Sequence, residues 1–201
     1  MKRLVFLRHP HTAYNRDPIR LRGCLDVPLS PEGFIQIADI CRDMKLSHPD
    51  IRQIYSSPLA RASILATTVA HEYGLKIVVL PELRSWDYGV LNGRAVAEVL
   101  DVLKTLSTGA GRELAPKGGE SMNDFLFRLG PKAIKQIISE APEEGVVLIV
   151  THLQNVMMGM AWLTAGLPED VSTMQYEYKE DNELPPGGFL EIRRTWTERT
   201  A

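Results

Sequence analysis

The sequence predicts an α/β fold, with a mostly parallel sheet and helices on both of its faces. Three observations predict it. Short apolar runs alternate along the chain with longer stretches that read as helices. Ser30-Pro31 and Ser57-Pro58 pair a capping residue with a first-turn proline, the signal of a helix start. Val146–Val150 is a continuous apolar run, which fits a strand buried on both sides. At 201 residues the chain is read as one domain, 1–201.

Each element follows from its residues. Leu4–Leu7 is a first strand that ends in Arg8-His9. Ser30 caps a helix, Pro31 fixes its first turn, and Glu32 lies against the positive end of its dipole; the helix runs to about Leu46. Ile51–Tyr55 is a second strand. Ser56-Ser57-Pro58 then opens a helix to about Tyr73, which Gly74 stops. Lys76–Leu80 is a third strand, β-branched and apolar. Residues 81–120 are rich in glycine and proline and are expected to be irregular, with a helix around Arg94–Leu106. Glu120 to about Glu140 reads as a long helix that Gly130-Pro131 should kink or divide. Val146–Val150 delivers Thr151-His152 at its end, Asn155–Leu163 is an apolar helix, and Phe189–Arg193 is a last strand.

Composition narrows the function. With 44% hydrophobic and 24% charged residues, wholesale disorder is excluded. No apolar run is long enough to span a bilayer, and only four apolar residues follow Met1-Lys2-Arg3 before Arg8, too few for a signal-peptide core. A net charge of −2 gives no general affinity for nucleic acid. Cys24 and Cys41 make neither a disulfide framework nor a zinc site, and they fit free thiols in a reducing cytoplasm.

In open α/β sheets ligands sit beyond the carboxyl ends of the strands. Here that edge collects Arg8 and His9 from the first strand, Arg61 from the first turns after Ser57-Pro58, and His152 from the buried strand. Two arginines and two histidines beside helix N-termini suit a multiply charged anion, and the planar guanidinium fork suits the paired oxygens of a phosphoryl group. Cationic neighbours disfavour a charged imidazole, and only the neutral ring is nucleophilic.

The same residues carry a resemblance. Leu7-Arg8-His9-Pro10-His11-Thr12-Ala13-Tyr14-Asn15 resembles the Arg-His-Gly-x-Thr-x-x-Asn signature of the histidine phosphatase superfamily, also called phosphoglycerate mutase-like. Arg22–Gly33, Tyr55–Ala62, Gly118-Gly119-Glu120-Ser121 and Val150-Thr151-His152 resemble later segments of that family, in family order. The resemblance implies a three-layer α/β/α sandwich, with His9 as the nucleophile that becomes phosphohistidine. It implies Arg8, Arg61 and His152 as holders of the phosphoryl group, with Asn15 and Thr12 assisting. It implies no metal and no cofactor.

Three positions depart from the family pattern. Pro10 replaces glycine and removes an N–H donor, for which His11 is a candidate substitute. Leu153 follows His152 in place of glycine and is expected to alter the shape of the pocket. Ser85 stands where the family has its glutamate proton donor, in Leu83-Arg84-Ser85-Trp86-Asp87-Tyr88-Gly89. Asp87 is the favoured substitute acid. Glu82, or no residue at all, stays open, as does a plain turn-capping role for Asp87.

The expected function is hydrolysis of a small-molecule phosphomonoester through a phosphohistidine on His9. Phosphoglycerate mutase-type transfer is the alternative, and a phosphate-binding pseudoenzyme or interaction module is the second. The insertion at about 84–120 is expected to form a lid over the pocket, with Arg22, Arg84 and Trp86 selecting substrate and Tyr88 and Lys117 near its body. Glu177–Asp181 reads as a solvated acidic segment. The expected partner is a phosphorylated small molecule, with no nucleic acid and no membrane; a homodimer is left open.

Overall fold

The computed structural model describes residues 2–174, 178–180 and 183–194. Its strands are β1 (Lys2–Arg8), β2 (Ile51–Ser56), β3 (Ile77–Val79), β4 (Val146–Thr151) and β5 (Phe189–Arg194). Its α-helices are α1 (Pro31–Ser47), α2 (Ala60–Tyr73), α3 (Val96–Ser107), α4 (Met122–Phe127), α5 (Lys135–Glu140) and α6 (Leu153–Thr164). The strands form one sheet in the order β3-β2-β4-β1-β5. β1, β2, β3 and β4 run parallel, and β5 closes the edge antiparallel to β1.

Side-chain alternation on the strands makes the three layers. From β1, Leu4 and Phe6 enter one core while Val5 and Leu7 enter the other. From β4, Val147 and Ile149 join the first while Val146, Leu148 and Val150 join the second. The second core is roofed by α1 and α2 through Ile37, Ile40, Met44, Leu65, Ala66 and Val69. The first is roofed by α3 to α6 through Leu103, Phe125, Ile137, Val156 and Trp162. β4, buried along all six residues, is the central strand its apolar run foretold.

The caps follow the expected chemistry with one exception. Ser30 Oγ accepts from Gly33 N at 3.2 Å at the start of α1. Gly74 ends α2 in the left-handed region, at φ 65°. Ser57-Pro58, however, precedes α2 without capping it: α2 begins at Ala60 after Leu59, and Ser57 instead faces His152. Gly130-Pro131 divides the long helix, as expected, into α4 and α5. The stretch Arg128–Ile134 winds as a π-helix joining α4 to α5, a turn wide enough to accept a residue with no N–H. A Cβ on Gly130 would meet the Trp162 ring at 2.8 Å, so glycine lets α6 pack closely here. Among the described residues, no helix is long and apolar enough to cross a membrane.

Candidate active site

The register of β1 on β4 builds the centre of the site. Arg8 pairs with Thr151, and His9 N donates to Thr151 O at 2.9 Å, so both strands release a histidine at the same level. The rings of His9 and His152 lie 5.3 Å apart, centre to centre. Arg61 reaches the same place from the first turn of α2, and its guanidinium donates to Leu25 O at 2.6 Å and Gly23 O at 2.7 Å. Ala60 N donates to Asp26 Oδ1 at 2.8 Å, which ties the 23–26 loop to the start of α2.

The cavity above these residues encloses about 80 Å³. His9, Arg22, Arg61, Ser85, His152, Leu153, Gln154, Tyr178 and Glu180 line it together with Ile19, Arg20, Leu21, Gly23, Tyr88 and Val96. His9, His152 and Arg61 are almost fully buried. Burial is the main reason that His9 titrates well below its ordinary value, followed by the charges of Arg61, His152, Arg22 and Arg8. Burial also lowers His152, with Arg61 next and then Arg22. Arg61 itself is pushed down to about 9, by burial first and Arg22 second.

Hydrogen bonds bear on where the two rings carry their protons. His9 Nδ1 lies 2.7 Å from Pro10 O, an acceptor only, so Nδ1 carries the proton and Nε2 keeps its lone pair. His152 Nε2 lies 2.8 Å from Ser57 Oγ, which also accepts from Leu59 N at 3.3 Å. With the Ser57 hydroxyl proton directed at His152 Nε2, Nδ1–H is the donor left for the cavity. His152 Nδ1 and Arg61 Nε are buried and have no partner among the described residues.

The expected site residues separate into those at the cavity and those behind it. His9, Arg22, Arg61 and His152 line it. Arg8 does not; it is fully buried, and its guanidinium donates to Leu184 O. Thr12 and Asn15 do not line the cavity either. Thr12 N and Oγ1 both reach Asn15 Oδ1 at 2.9 Å and close the turn after His9. His11 faces α1, where its N–H donates to Gln36 Oε1 at 2.8 Å and its Nδ1 meets Ser30 Oγ at 2.7 Å, so it does not replace a donor lost at Pro10. Leu153 lines the wall.

The expectation that Asp87 supplies the acid is corrected by its placement. Asp87 Oδ1 accepts from Gly89 N at 3.0 Å and Asn92 Nδ2 at 2.9 Å, and Asp87 is not a cavity residue. Its carboxylate caps its own loop, the alternative left open above. Glu82 is also away from the cavity, in the 3-10 turn Pro81–Leu83.

Arg84 and Trp86 are corrected as substrate contacts. Arg84 pairs with Glu120 at 3.1 Å, while Trp86 is fully buried against Tyr88 and Phe125 with its N–H on Glu120 O at 3.0 Å. Lys117 lies outside the cavity as well, and the 84–120 insertion contributes Ser85, Tyr88 and Val96 to the lining. Glu120 explains its motif: it holds Arg84, Arg128 and the Asp87 N–H, and so fixes the loop that carries Ser85. A Cβ on Gly119 would meet Asp87 O at 2.5 Å, so this glycine permits the close approach of the two loops.

Sequence reasoning missed Ile19, Arg20, Leu21, Gln154, Tyr178 and Glu180. Glu180 is exposed, as the solvated reading of its segment expected, yet it and Tyr178 line the cavity; Glu177 and Asp181 lie outside the described residues. Alternation at positions 178 and 180 was the available signal, but nothing local in the sequence shows where that strand-like piece docks.

A sheet edge that presents two neutral imidazoles and a buried guanidinium to a small cavity defines an anion pocket of the α/β class. The chain belongs to the histidine phosphatase superfamily (branch 1), whose sequence profile matches residues 4–183. It is 36% identical over 134 residues to the "Putative phosphoserine phosphatase 2" of Hydrogenobacter thermophilus, a match covering 64% of this chain and 64% of that protein. It is 28% identical over 209 aligned positions to the "Probable phosphoglycerate mutase GpmB" of an Enterobacter species, covering 96% of this chain and 92% of that one. A mycobacterial glucosyl-3-phosphoglycerate phosphatase solved with VO3 superposes with a TM-score of 0.76 at 25% identity, over 96% of this chain and 93% of its own.

Proposed function

We propose that this chain is a phosphomonoester phosphatase that works through a phosphohistidine on His9. The observation that carries the reading is the Nδ1 proton of His9 held on Pro10 O, which leaves an unprotonated Nε2 in a cavity shared with Arg22, Arg61 and His152. His9 Nε2 attacks phosphorus, and the bond from phosphorus to the ester oxygen breaks. The alcohol leaves with that electron pair and takes up a proton. Water then attacks the phosphohistidine, the P–N bond breaks, and His9 recovers its lone pair. Arg61 and His152 Nδ1–H donate to the equatorial oxygens as charge spreads over them.

Mutase-type transfer back to a substrate is the second reading, favoured by the end-to-end match to the Enterobacter protein. Two measurements test the proposal. Para-nitrophenyl phosphate is assayed with the wild type and with His9→Ala, and the protein is trapped after reaction with a labelled phosphate donor. The expected results are turnover that vanishes in His9→Ala and an acid-labile label on His9. Equal background rates in both proteins would reject the enzyme, and a panel with bisphosphoglycerate separates phosphatase from mutase.

A further inference from the structure

We propose that Glu180 is the general acid of this site, standing in for the carboxyl that Ser85 does not supply. The inference rests on the phosphatase reading above. Glu180 is the only carboxylate among the described residues that line the cavity. It is exposed, whereas His9 is buried, so the two stand at the mouth and the floor of one small cavity. In-line displacement puts the leaving oxygen on the far side of phosphorus from the attacking nitrogen. That oxygen therefore points to the mouth, where Glu180 stands, and away from the floor where the histidines are.

The backbone holds Glu180 there. Gln154, two residues after His152, donates to Lys179 O at 2.7 Å and accepts from Lys179 N at 3.4 Å. This pair of bonds fastens the segment to the first turn of α6. Tyr178 and Glu180, on either side of Lys179, both line the cavity, as alternation along an extended piece requires. Glu183 N donates to Glu180 O at 3.2 Å, and Lys179 pairs with Glu183 at 3.3 Å, so the chain is pinned beyond Glu180 as well.

The proton balance closes on this one group. Glu180 gives its carboxyl proton to the departing alkoxide as the P–O bond breaks. As carboxylate it then takes a proton from the water that attacks the phosphohistidine, and it ends the cycle protonated.

The test is the dependence of rate on the leaving group. Wild type, Glu180→Gln and Glu180→Asp are assayed on a series from para-nitrophenyl phosphate through phenyl phosphate to alkyl phosphates. The expected result in Glu180→Gln is a ratio of alkyl to para-nitrophenyl kcat/KM lower by about 10²-fold, with a steeper plot against leaving-group pKa and partial recovery in Glu180→Asp. An equal loss across the series, or no loss, overturns the proposal. So does a wild type that turns over para-nitrophenyl phosphate but no alkyl phosphate. Failure of the underlying reading looks different, because wild type would then match His9→Ala on every substrate.

Discussion

The His9 and His152 rings stand 5.3 Å apart because Arg8 and Thr151 are register partners on adjacent parallel strands. A slip of one residue between β1 and β4 would turn their side chains to opposite faces, and the buried residues of both strands forbid that slip. The distance between the two imidazoles is thus set by the hydrophobic core. That core also removes water from both rings, and burial outweighs each neighbouring charge in keeping them neutral.

The direction of those shifts gives the first prediction. Both imidazoles remain neutral well below pH 6.5, the ordinary midpoint of histidine. An NMR titration of the ring C–H resonances is expected to show His9 and His152 unprotonated at pH 6. Imidazolium shifts for His9 at that pH would contradict the mechanism, because a protonated ring has no lone pair to attack with.

Pro10 costs this site little. The atom it contributes is its carbonyl, which orients the His9 ring at 2.7 Å, and proline keeps that acceptor. Pro10→Gly is therefore expected to leave kcat/KM within about threefold while lowering stability by about 0.4–1 kcal/mol through the freer unfolded chain. A loss of a hundredfold in steady-state assays would show that the ring's orientation depends on the proline itself.

Much of this arrangement was legible in the sequence, and the unreadable part has a common cause. His9, His152 and Arg61 follow strand ends or a helix start, so local pattern places them at one sheet edge. Leu153 was legible for the same reason. Asp87, Arg84 and Trp86 sit in an irregular loop, where side-chain direction depends on Glu120, thirty-odd residues downstream. Glu180 reaches the cavity through Gln154, a contact between segments that no local signal links.

Ser57 is predicted to act through His152. Its hydroxyl lies 2.8 Å from Nε2, and donation to that nitrogen would favour the ring form with its proton on Nδ1. Ser57→Ala removes one hydrogen bond worth roughly 0.5–1.5 kcal/mol. The expected result is a kcat/KM reduced by up to about tenfold with folding intact, and weaker inhibition by inorganic phosphate or vanadate. Unchanged phosphate affinity would mean that His152 holds its orientation without Ser57.

Arg128 bears on the loop that carries Ser85. Its guanidinium donates to the carbonyls of Glu82, Arg84 and Ser85 and also pairs with Glu120. Arg128→Met leaves these buried acceptors unpaired, and a loss of about 3–5 kcal/mol is expected in denaturant unfolding. Arg128→Lys should recover only part of this, because an ammonium cannot match the fork. Recovery to full stability by lysine would show that charge alone holds the loop.

The buried histidines also set how stability responds to acid. Each has a folded pKa below its unfolded value of about 6.5, so the unfolded chain binds protons that the folded chain refuses. Unfolding free energy must therefore fall as pH drops from about 6.5 toward the lowered folded values, by up to about 1.4 kcal/mol per pH unit for each ring. Above pH 6.5 neither ring contributes a slope, because both states hold it neutral. The double variant His9→Gln, His152→Gln keeps polar side chains at these positions but cannot titrate. Its stability is expected to decline less steeply than that of wild type between pH 6.5 and 5, the carboxylates being common to both. Parallel curves in that window would place both rings in contact with water or with a negative charge in the folded chain.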